Sequence, residues 1–161
     1  MLMNQQKRRE GKMLKRFEQF STVISGINRY IQKIERDEMV KYGYKGSYAQ
    51  YLVALIKYED GLTMAQLCEA CDKDKAAVSR VVGELVEKEL VEKRLEGNKT
   101  YKGKICLTDK GRQASEHIID KAKKAVNEVG KELSKDERRV LYTSLENIAN
   151  KLKKISDEGI E

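Results

Sequence analysis

Two stripes of apolar residues, one near each end of the chain, repeat at alternating spacings of three and four. The N-terminal stripe consists of Phe17, Phe20, Ile24, Ile27, Ile31 and Ile34. The C-terminal stripe consists of Leu141, Leu145, Ile148, Leu152 and Ile155. This periodicity predicts long amphipathic helices with narrow apolar faces, as in packed helix–helix seams. Each face needs a cover, which either the rest of the chain or a second copy could supply.

Between the stripes, capping patterns predict two shorter helices. Ser47 with Gln50 forms a capping-box pattern at the start of a helix that Asp60-Gly61 would close. Thr63 with Gln66 forms a second capping box, which predicts a short helix. The residues expected to be buried on this short helix are Met64, Leu67 and one of Cys68 and Cys71.

A charged turn, Asp72-Lys73-Asp74, precedes a third central helix. Asp74 is a candidate N-cap, because its carboxylate can accept hydrogen bonds from the first amides of the helix. The pattern predicts a helix from Lys75 to Lys88. Its expected buried face is Val78, Val81, Val82, Leu85 and Val86, and its expected outer positions are Lys75, Ala76, Ser79, Arg80 and Gly83. Small residues on the outer side would let this helix approach a groove closely.

A short β-ribbon is predicted directly after this helix. Apolar and charged residues alternate from Leu90 to Leu95 and again from Ile105 to Leu107. The loop between them, residues 96–103, carries Lys99, Tyr101 and Lys102. From Asp109 onward the pattern is helical, and a capping box at Ser134–Glu137 divides that region into two helices.

The order of these elements indicates a class of function. A second helix held at a fixed angle by a first is a device for entering the DNA major groove. The segment Thr63–Thr108 is therefore predicted to be a helix-turn-helix followed by a basic β-wing. Arg80 could bind guanine O6 and N7 with both arms of its guanidinium, and Lys73 and Lys75 are expected to contact phosphates.

Composition agrees with a nucleic-acid partner without identifying one. The 161-residue chain has 33 Lys and Arg against 26 Asp and Glu, a formal net charge of +7, which suits a polyanion. No apolar run approaches the roughly 20 residues needed to span a bilayer, and the basic N-terminus lacks the apolar stretch of a secretory signal. We therefore expect a cytoplasmic protein with no membrane partner.

Catalytic and metal chemistry are not indicated. Cys68 and Cys71 could present both thiols on one side of a helix, but no second CxxC follows, Cys106 is distant, and His117 is the only histidine. Buried structural cysteines are the simpler interpretation. No nucleophile elbow, phosphate loop or metal motif is present. We expect no catalytic residues, no metal, no cofactor and no enzyme activity.

Four motifs in order give the chain a resemblance to a known family. They are L-T-x-A-x-L at Leu62–Leu67, K-A-A-V-S-R at Lys75–Arg80, I-C-L-T-D-K-G at Ile105–Gly111, and the Ser134–Glu137 box. The chain resembles the MarR family of bacterial and archaeal winged-helix transcription regulators over roughly residues 17–155. The resemblance implies a single, mainly α-helical MarR-like domain over 1–161, with a small β-wing, whose winged helix-turn-helix lobe is 47–108. Segments 1–37 and 110–158 would supply dimerisation helices.

The resemblance also implies how the residues divide by role. DNA contacts would come from a recognition-helix set, Lys73, Asp74, Lys75, Ala76, Ala77, Ser79 and Arg80, and from a wing set, Arg94, Lys99, Tyr101, Lys102 and Lys104. Dimerisation would use Phe17, Phe20, Ile24, Ile27, Leu145, Ile148, Leu152 and Ile155. A pocket for a small-molecule effector would have an aromatic wall of Tyr44, Tyr48 and Tyr51, although core or interface packing is the alternative role for these rings.

Two departures from the family pattern bear on these assignments. Glu89 stands where the family usually has glycine after the recognition helix, which implies either a left-handed residue or a different helix end. The wing lacks the family's Asp-Arg pair near its tip, so lysines would take over phosphate contacts. The resemblance as a whole implies a homodimeric regulator that binds a pseudo-palindromic operator and represses, or less often activates, the genes near it. The alternatives are a helical protein-interaction module and a non-specific architectural DNA binder.

Overall fold

The computed structural model describes residues 2–94 and 103–159, with side-chain surroundings from residue 11 onward. Six α-helices follow one another as α1 (Leu2–Lys41), α2 (Ala49–Leu55), α3 (Met64–Cys71), α4 (Lys75–Glu87), α5 (Asp109–Gly130) and α6 (Lys135–Glu158). A 3₁₀ turn (Gly46–Tyr48) precedes α2. The strands are β1 (Leu62–Thr63), β2 (Val91–Arg94) and β3 (Lys104–Leu107). This confirms the predicted class, mainly α with a small β-wing.

The chain forms two compact units, Met1–Ala122 and Lys123–Glu161. The first contains α1 to α4, the sheet and most of α5. The second contains the end of α5 and all of α6. Within the second unit, the predicted capping box is confirmed: the Glu137 amide donates to Ser134 Oγ at 3.3 Å, and the Ser134 amide donates to the Glu137 carboxylate at 2.9 Å.

The core of the first unit lies under α4. Side chains of α2, α3, α4, the sheet and α5 meet there, and the largest fully buried ones include Leu52, Leu55, Leu67, Leu85, Leu90 and Ile118. The four positions Val78, Val81, Val82 and Leu85 are buried as predicted, because they recur at helical spacing on one side of α4. Val86 is 39% exposed, so its predicted burial is wrong. At roughly 100° per residue, Val86 lies about 80° around the helix from Val78 and beyond Val82, at the edge of the buried face.

The sheet has one strand that the sequence pattern did not predict. Its order is β1-β3-β2, with both pairs antiparallel. Leu62 and Lys93 lie on opposite sides of Ile105, each in register with it. β1 is only two residues long, too short to show an alternating pattern. The third strand gives the central strand β3 a hydrogen-bonded neighbour on each side.

The start of α2 differs from the prediction. Ser47 does not form a capping box with Gln50; instead residues 46–48 form the 3₁₀ turn, and no side chain caps it. The chain lies close against α1 here, since a β-carbon at Gly46 would sit 3.2 Å from Arg36 Cβ. Tyr48 is buried and Ala49 begins the helix. Packing on α1 therefore prevailed over the local capping preference.

Two further expectations about the short helices need correction. α2 ends at Leu55, well before Asp60-Gly61, which form a later turn with Gly61 at φ 75°. On α3 only Leu67 is fully buried, whereas Met64, Cys68 and Cys71 are half-buried at the edge of the core. The capping box that opens α3 is confirmed, with the Gln66 amide 3.3 Å from Thr63 Oγ1.

The L-T-D-K-G motif holds the start of α5 against the end of α4. Thr108 Oγ1 donates to the Glu89 carbonyl at 2.6 Å and accepts from the Gly111 amide at 3.0 Å. A β-carbon at Gly111 would overlap the carbonyl oxygen of Leu90, so only glycine fits at this approach. These contacts set where β2 begins relative to α5.

Glu89 occupies the left-handed region, with φ 60°. Replacing Glu89 with glycine is expected to stabilise the protein by about 0.5–1 kcal/mol. The left-handed conformation costs a residue with a β-carbon about 1–2 kcal/mol, and the greater entropy of unfolded glycine offsets part of the gain. The ion pair of Glu89 with Lys110, at 3.5 Å, is exposed and contributes little.

Chemical denaturation of wild type and Glu89→Gly would measure this difference. Lys88→Gly is the matched control, because Lys88 has a right-handed conformation with φ −86° and gains nothing from glycine. The control should lose stability. If Glu89→Gly lowers the free energy of unfolding as much as Lys88→Gly does, Glu89 is not destabilised by its left-handed conformation.

Candidate nucleic-acid interface

α4 presents one face outward because its other face is buried. Arg80 lies about 200° around the helix from Val78 at roughly 100° per residue, which points its side chain away from the core. Arg80, Ala76 and Ser79 are exposed, and Gly83 is half-buried on the same side. The outer face therefore carries one long cation among small residues, a surface that fits into a groove.

The turn before α4 fixes the angle of this helix. Asp72 has φ 51°, a left-handed conformation that aspartate tolerates better than most residues. The Lys73 amide donates to the Cys68 carbonyl at 3.1 Å. Asp74 then caps α4 as predicted, accepting from the Ala77 amide at 2.8 Å. Local hydrogen bonds thus hold α3 and α4 as a helix-turn-helix.

A polar contact that sequence analysis missed ties α4 to the segment before α2. Glu84 accepts from Lys45 Nζ and from the Tyr48 hydroxyl, both at 2.7 Å. The hydrogen bond from Lys45, followed by that from Tyr48, lowers the pKa of the Glu84 carboxyl. Burial, assisted by Glu84, raises the pKa of Tyr48 to about 12. The partners are 36 and 39 residues from Glu84 along the chain, so no local pattern could reveal the contact.

The predicted recognition-helix residues lie together in the structure. Lys73, Asp74 and Lys75 are exposed at the turn, and only Ala77 of the set is half-buried. Within the part of the chain that the structure describes, Lys73, Lys75 and Arg80 form no ion pair. Two cations at the start of α4, Lys73 and Lys75, and a third further along its outer face, Arg80, are thus available to a polyanion.

The described part of the wing contains two of its five predicted residues. Arg94 on β2 is in register with Lys104 on β3. Arg94 is exposed and its Nε donates to the Glu92 carboxylate at 2.6 Å, whereas Lys104 is half-buried. Lys99, Tyr101 and Lys102, predicted as wing contacts, lie outside the described residues.

The tyrosines predicted to line an effector pocket have different surroundings. Tyr48 and Tyr51 are buried in the core, and Tyr44 is half-buried against it. Desolvation by burial raises the pKa of Tyr51. Core packing, the alternative interpretation of these rings, therefore describes Tyr48 and Tyr51 in this single chain.

The cysteines and the histidine show no sign of a metal centre. In residues 2–94 and 103–159, no group of three or more His, Cys, Asp or Glu side chains is placed to hold a metal ion. Burial raises the pKa of Cys71 to about 11, which keeps its thiol protonated. Cys106 is buried beside the Asp60 carbonyl. His117 is exposed and its ring stacks on Tyr42 with centroids 4.9 Å apart.

The predicted dimerisation residues of α1 are exposed in the single chain. Phe17 is 65% and Ile27 is 50% exposed, and Phe20 and Ile24 are also on the surface. On α6, Ile148 and Leu152 are exposed, and Leu145 and Ile155 are half-buried. Stripes of this length rarely face water in a monomer, and they mark interaction surfaces. Among the described helices, none is long and apolar enough to cross a membrane.

These elements define a class of protein. A helix-turn-helix with an exposed second helix, followed by a basic β-ribbon that pairs with the short strand β1 before α3, is a winged helix-turn-helix. The model of the MarR family matches residues 42–99, which include α2, α3, α4 and β2. No curated protein shows significant sequence similarity to the chain.

Solved structures with the same fold agree with this match. A MarR family transcriptional regulator from Listeria monocytogenes, in complex with 26mer DNA, has a TM-score of 0.69 and 20% identity, over 86% of this chain and 93% of its own. A MarR transcriptional regulator from Methanosarcina mazei Go1 has a TM-score of 0.70 and 23% identity. The match covers 84% of this chain and 90% of that protein's chain. MepR in the Staphylococcus aureus MepR–DNA complex has a TM-score of 0.66 and 19% identity. The match covers 83% of this chain and 97% of the MepR chain. The chain therefore has the winged-helix fold of the MarR family, and the resemblance drawn from its motifs is confirmed.

Proposed function

We propose that this protein is a sequence-specific DNA-binding transcription regulator that binds a pseudo-palindromic operator as a homodimer. The observation that carries the proposal is the exposed face of α4, where Arg80 projects among small residues while the opposite face is buried. The similar proteins from Listeria and Staphylococcus were solved with DNA. Arg80 would bind base edges, and Lys73 and Lys75 would contact phosphates. The function is binding, with no catalytic step.

The wing and the apolar stripes complete the proposed mechanism. Lys99, Lys102 and Lys104, with Arg94, would contact the backbone beside the half-site. The stripes of α1 and α6 would join two chains, so that two copies of α4 enter successive major grooves about 34–36 Å apart. An effector that favours another spacing of the two helices would lower operator affinity. Release of the operator would then relieve repression, with the half-buried Tyr44 as the outer edge of the proposed aromatic wall.

Selection of binding sites from a random DNA pool tests the proposal. We expect one palindromic sequence to be enriched, with half-sites one helical turn apart. Equal retention of all sequences would instead support a non-specific architectural DNA binder. Absence of DNA binding even at low salt would support a helical protein-interaction module. Selection from genomic fragments would then identify the neighbouring genes and the effector class.

A further inference from the structure

A cleft of about 320 Å³ opens beside Lys73, at the turn that leads into α4. α1, the 3₁₀ turn, α2 and the residue after the α3 cap all contribute to its walls. Its polar lining residues are Gln32, Glu35, Arg36, Ser47, Gln50 and Lys73. A concave site with several convergent polar groups is typical of ligand binding. None of its α1 residues belongs to the predicted DNA-binding set.

The charges of the cleft favour an anion. The two cationic side chains of the cleft, Arg36 and Lys73, form no ion pair within the described residues. Glu35 is the one carboxyl group among the lining residues, which leaves a formal net charge of +1. Burial raises the pKa of Glu35, and Lys57 and Arg36 oppose that rise. An anion in the cleft would therefore meet two cations and one partly desolvated carboxyl group.

Neutral donors complete the lining. The Ser47 hydroxyl caps no helix and makes no hydrogen bond within the described residues. Gln50 is half-buried in the first turn of α2, and Gln32 lies one turn before Arg36 on α1. Hydroxyl and amide groups of this kind commonly accompany arginine and lysine at phosphate oxygens.

The position of the cleft identifies the source of the anion. Lys73 is two residues from Lys75, the first residue of α4, and two residues span at most about 7 Å. A helix seated in the major groove has a phosphate backbone on each side. When the N-terminal end of α4 enters the groove, one of these backbones comes close to the mouth of the cleft.

We propose that this cleft receives a backbone phosphate of the bound DNA, held by Arg36 of α1 and by Lys73, with Ser47 and the two glutamines as neutral donors. Glu35 opposes this contact and limits its strength. The inference rests on the proposed DNA-binding function and extends the interface from the helix-turn-helix to α1. A guanidinium can bind a phosphate with two parallel hydrogen bonds, which makes Arg36 the principal ligand.

Two substitutions that change the charge of the cleft in opposite directions test the proposal. Arg36→Gln should lower affinity for operator and for unrelated DNA by a similar factor, about 3- to 10-fold at low salt, and reduce the salt slope by about one for each phosphate that is no longer neutralised. Glu35→Gln should raise affinity for both DNAs. Arg36→Lys, which keeps the charge, should restore part of the affinity. Arg29→Gln is the control, because Arg29 lies two turns earlier on α1 and does not line the cleft.

The outcomes distinguish a failure of the cleft proposal from a failure of the proposed DNA-binding function. If wild type binds operator and Arg36→Gln matches it in affinity and salt slope, the cleft proposal is wrong and the function stands. If wild type binds no DNA, both proposals fail. Calorimetry with inorganic phosphate at constant ionic strength distinguishes the two sources of the anion. Saturable binding of free phosphate that Arg36→Gln abolishes, without any change in DNA affinity, would reassign the cleft to a small anion.

Discussion

Replacing Ile27 with glutamate is expected to convert the protein into a monomer and to lower operator affinity at least about 100-fold. Ile27 is half exposed in the single chain, so the substitution leaves the core of the first unit intact. In the proposed dimer the same position is covered by apolar surface, and a buried unpaired carboxylate is strongly unfavourable there. A monomer loses the second half-site, and tethering two binding modules multiplies affinity by about 10² to 10⁴.

Light scattering coupled to gel filtration measures the first part of this prediction. Wild type should have twice the 18.5 kDa mass of the chain, and Ile27→Glu should have the mass of one chain. Thr22→Glu is the matched control, since it adds the same charge to α1 on the side opposite the stripe and should remain dimeric. A monomeric wild type, or a dimeric Ile27→Glu protein with full operator affinity, would refute the assignment of the α1 stripe.

Replacing Arg80 with alanine is expected to reduce operator affinity by about 1–3 kcal/mol for each recognition helix, roughly 5- to 150-fold per helix. Arg80 is exposed on the face of α4 opposite Val78, Val82 and Leu85, so its removal disturbs no core contact. The loss should fall mainly on the selected operator, because a bidentate contact to guanine discriminates between bases. Fluorescence anisotropy with operator and scrambled DNA would measure both affinities.

Arg80→Lys separates base recognition from charge. Lysine keeps the positive charge but lacks the planar fork of arginine. We expect this variant to keep most of the affinity for scrambled DNA while losing preference for the operator. Operator affinity equal to wild type in Arg80→Ala would exclude Arg80 from recognition, and an equal loss on both DNAs would make it a phosphate contact.

Features set by neighbouring residues were predictable from the sequence. The Thr63 and Ser134 capping boxes and the Asp74 cap each depend on residues within four positions, and all three are present. The helix predicted from Lys75 to Lys88 is observed as Lys75–Glu87. Glu89 departs from the family's glycine, and it occupies the left-handed conformation. In each case the structure favoured by neighbouring residues is the same as the structure favoured by tertiary packing.

Features that depend on distant partners were not predictable. Ser47 has the same capping signal as Thr63, yet Tyr48 packs into the core and donates to Glu84, so a 3₁₀ turn replaces the capped helix start. β1 exists because Leu62 meets Ile105 across 43 positions of sequence. The cleft beside Lys73 brings together residues of α1 and the turn before α4 that no motif connects.

The exposed apolar stripe on α1 has one feature that the sequence predicts and one that it does not. Its spacing predicts the helix and the apolar face, and the structure shows that the residues from Phe17 to Ile27 remain exposed in the single chain. A second copy as the cover remains our proposal. Periodicity reveals that a surface needs a partner, because apolar side chains on one helix face avoid water, but it carries no information about which surface fits it.

Helix periodicity, caps and the basic character of the segment around α4 were therefore already determined by the order of residues, since each arises from side chains within one or two helical turns. The third strand, the Glu84 contact and the cleft lined by Arg36 and Lys73 were decided only when the chain packed. Burial of apolar surface drives that packing, and it brings together polar groups whose separation along the chain leaves no trace in the local pattern.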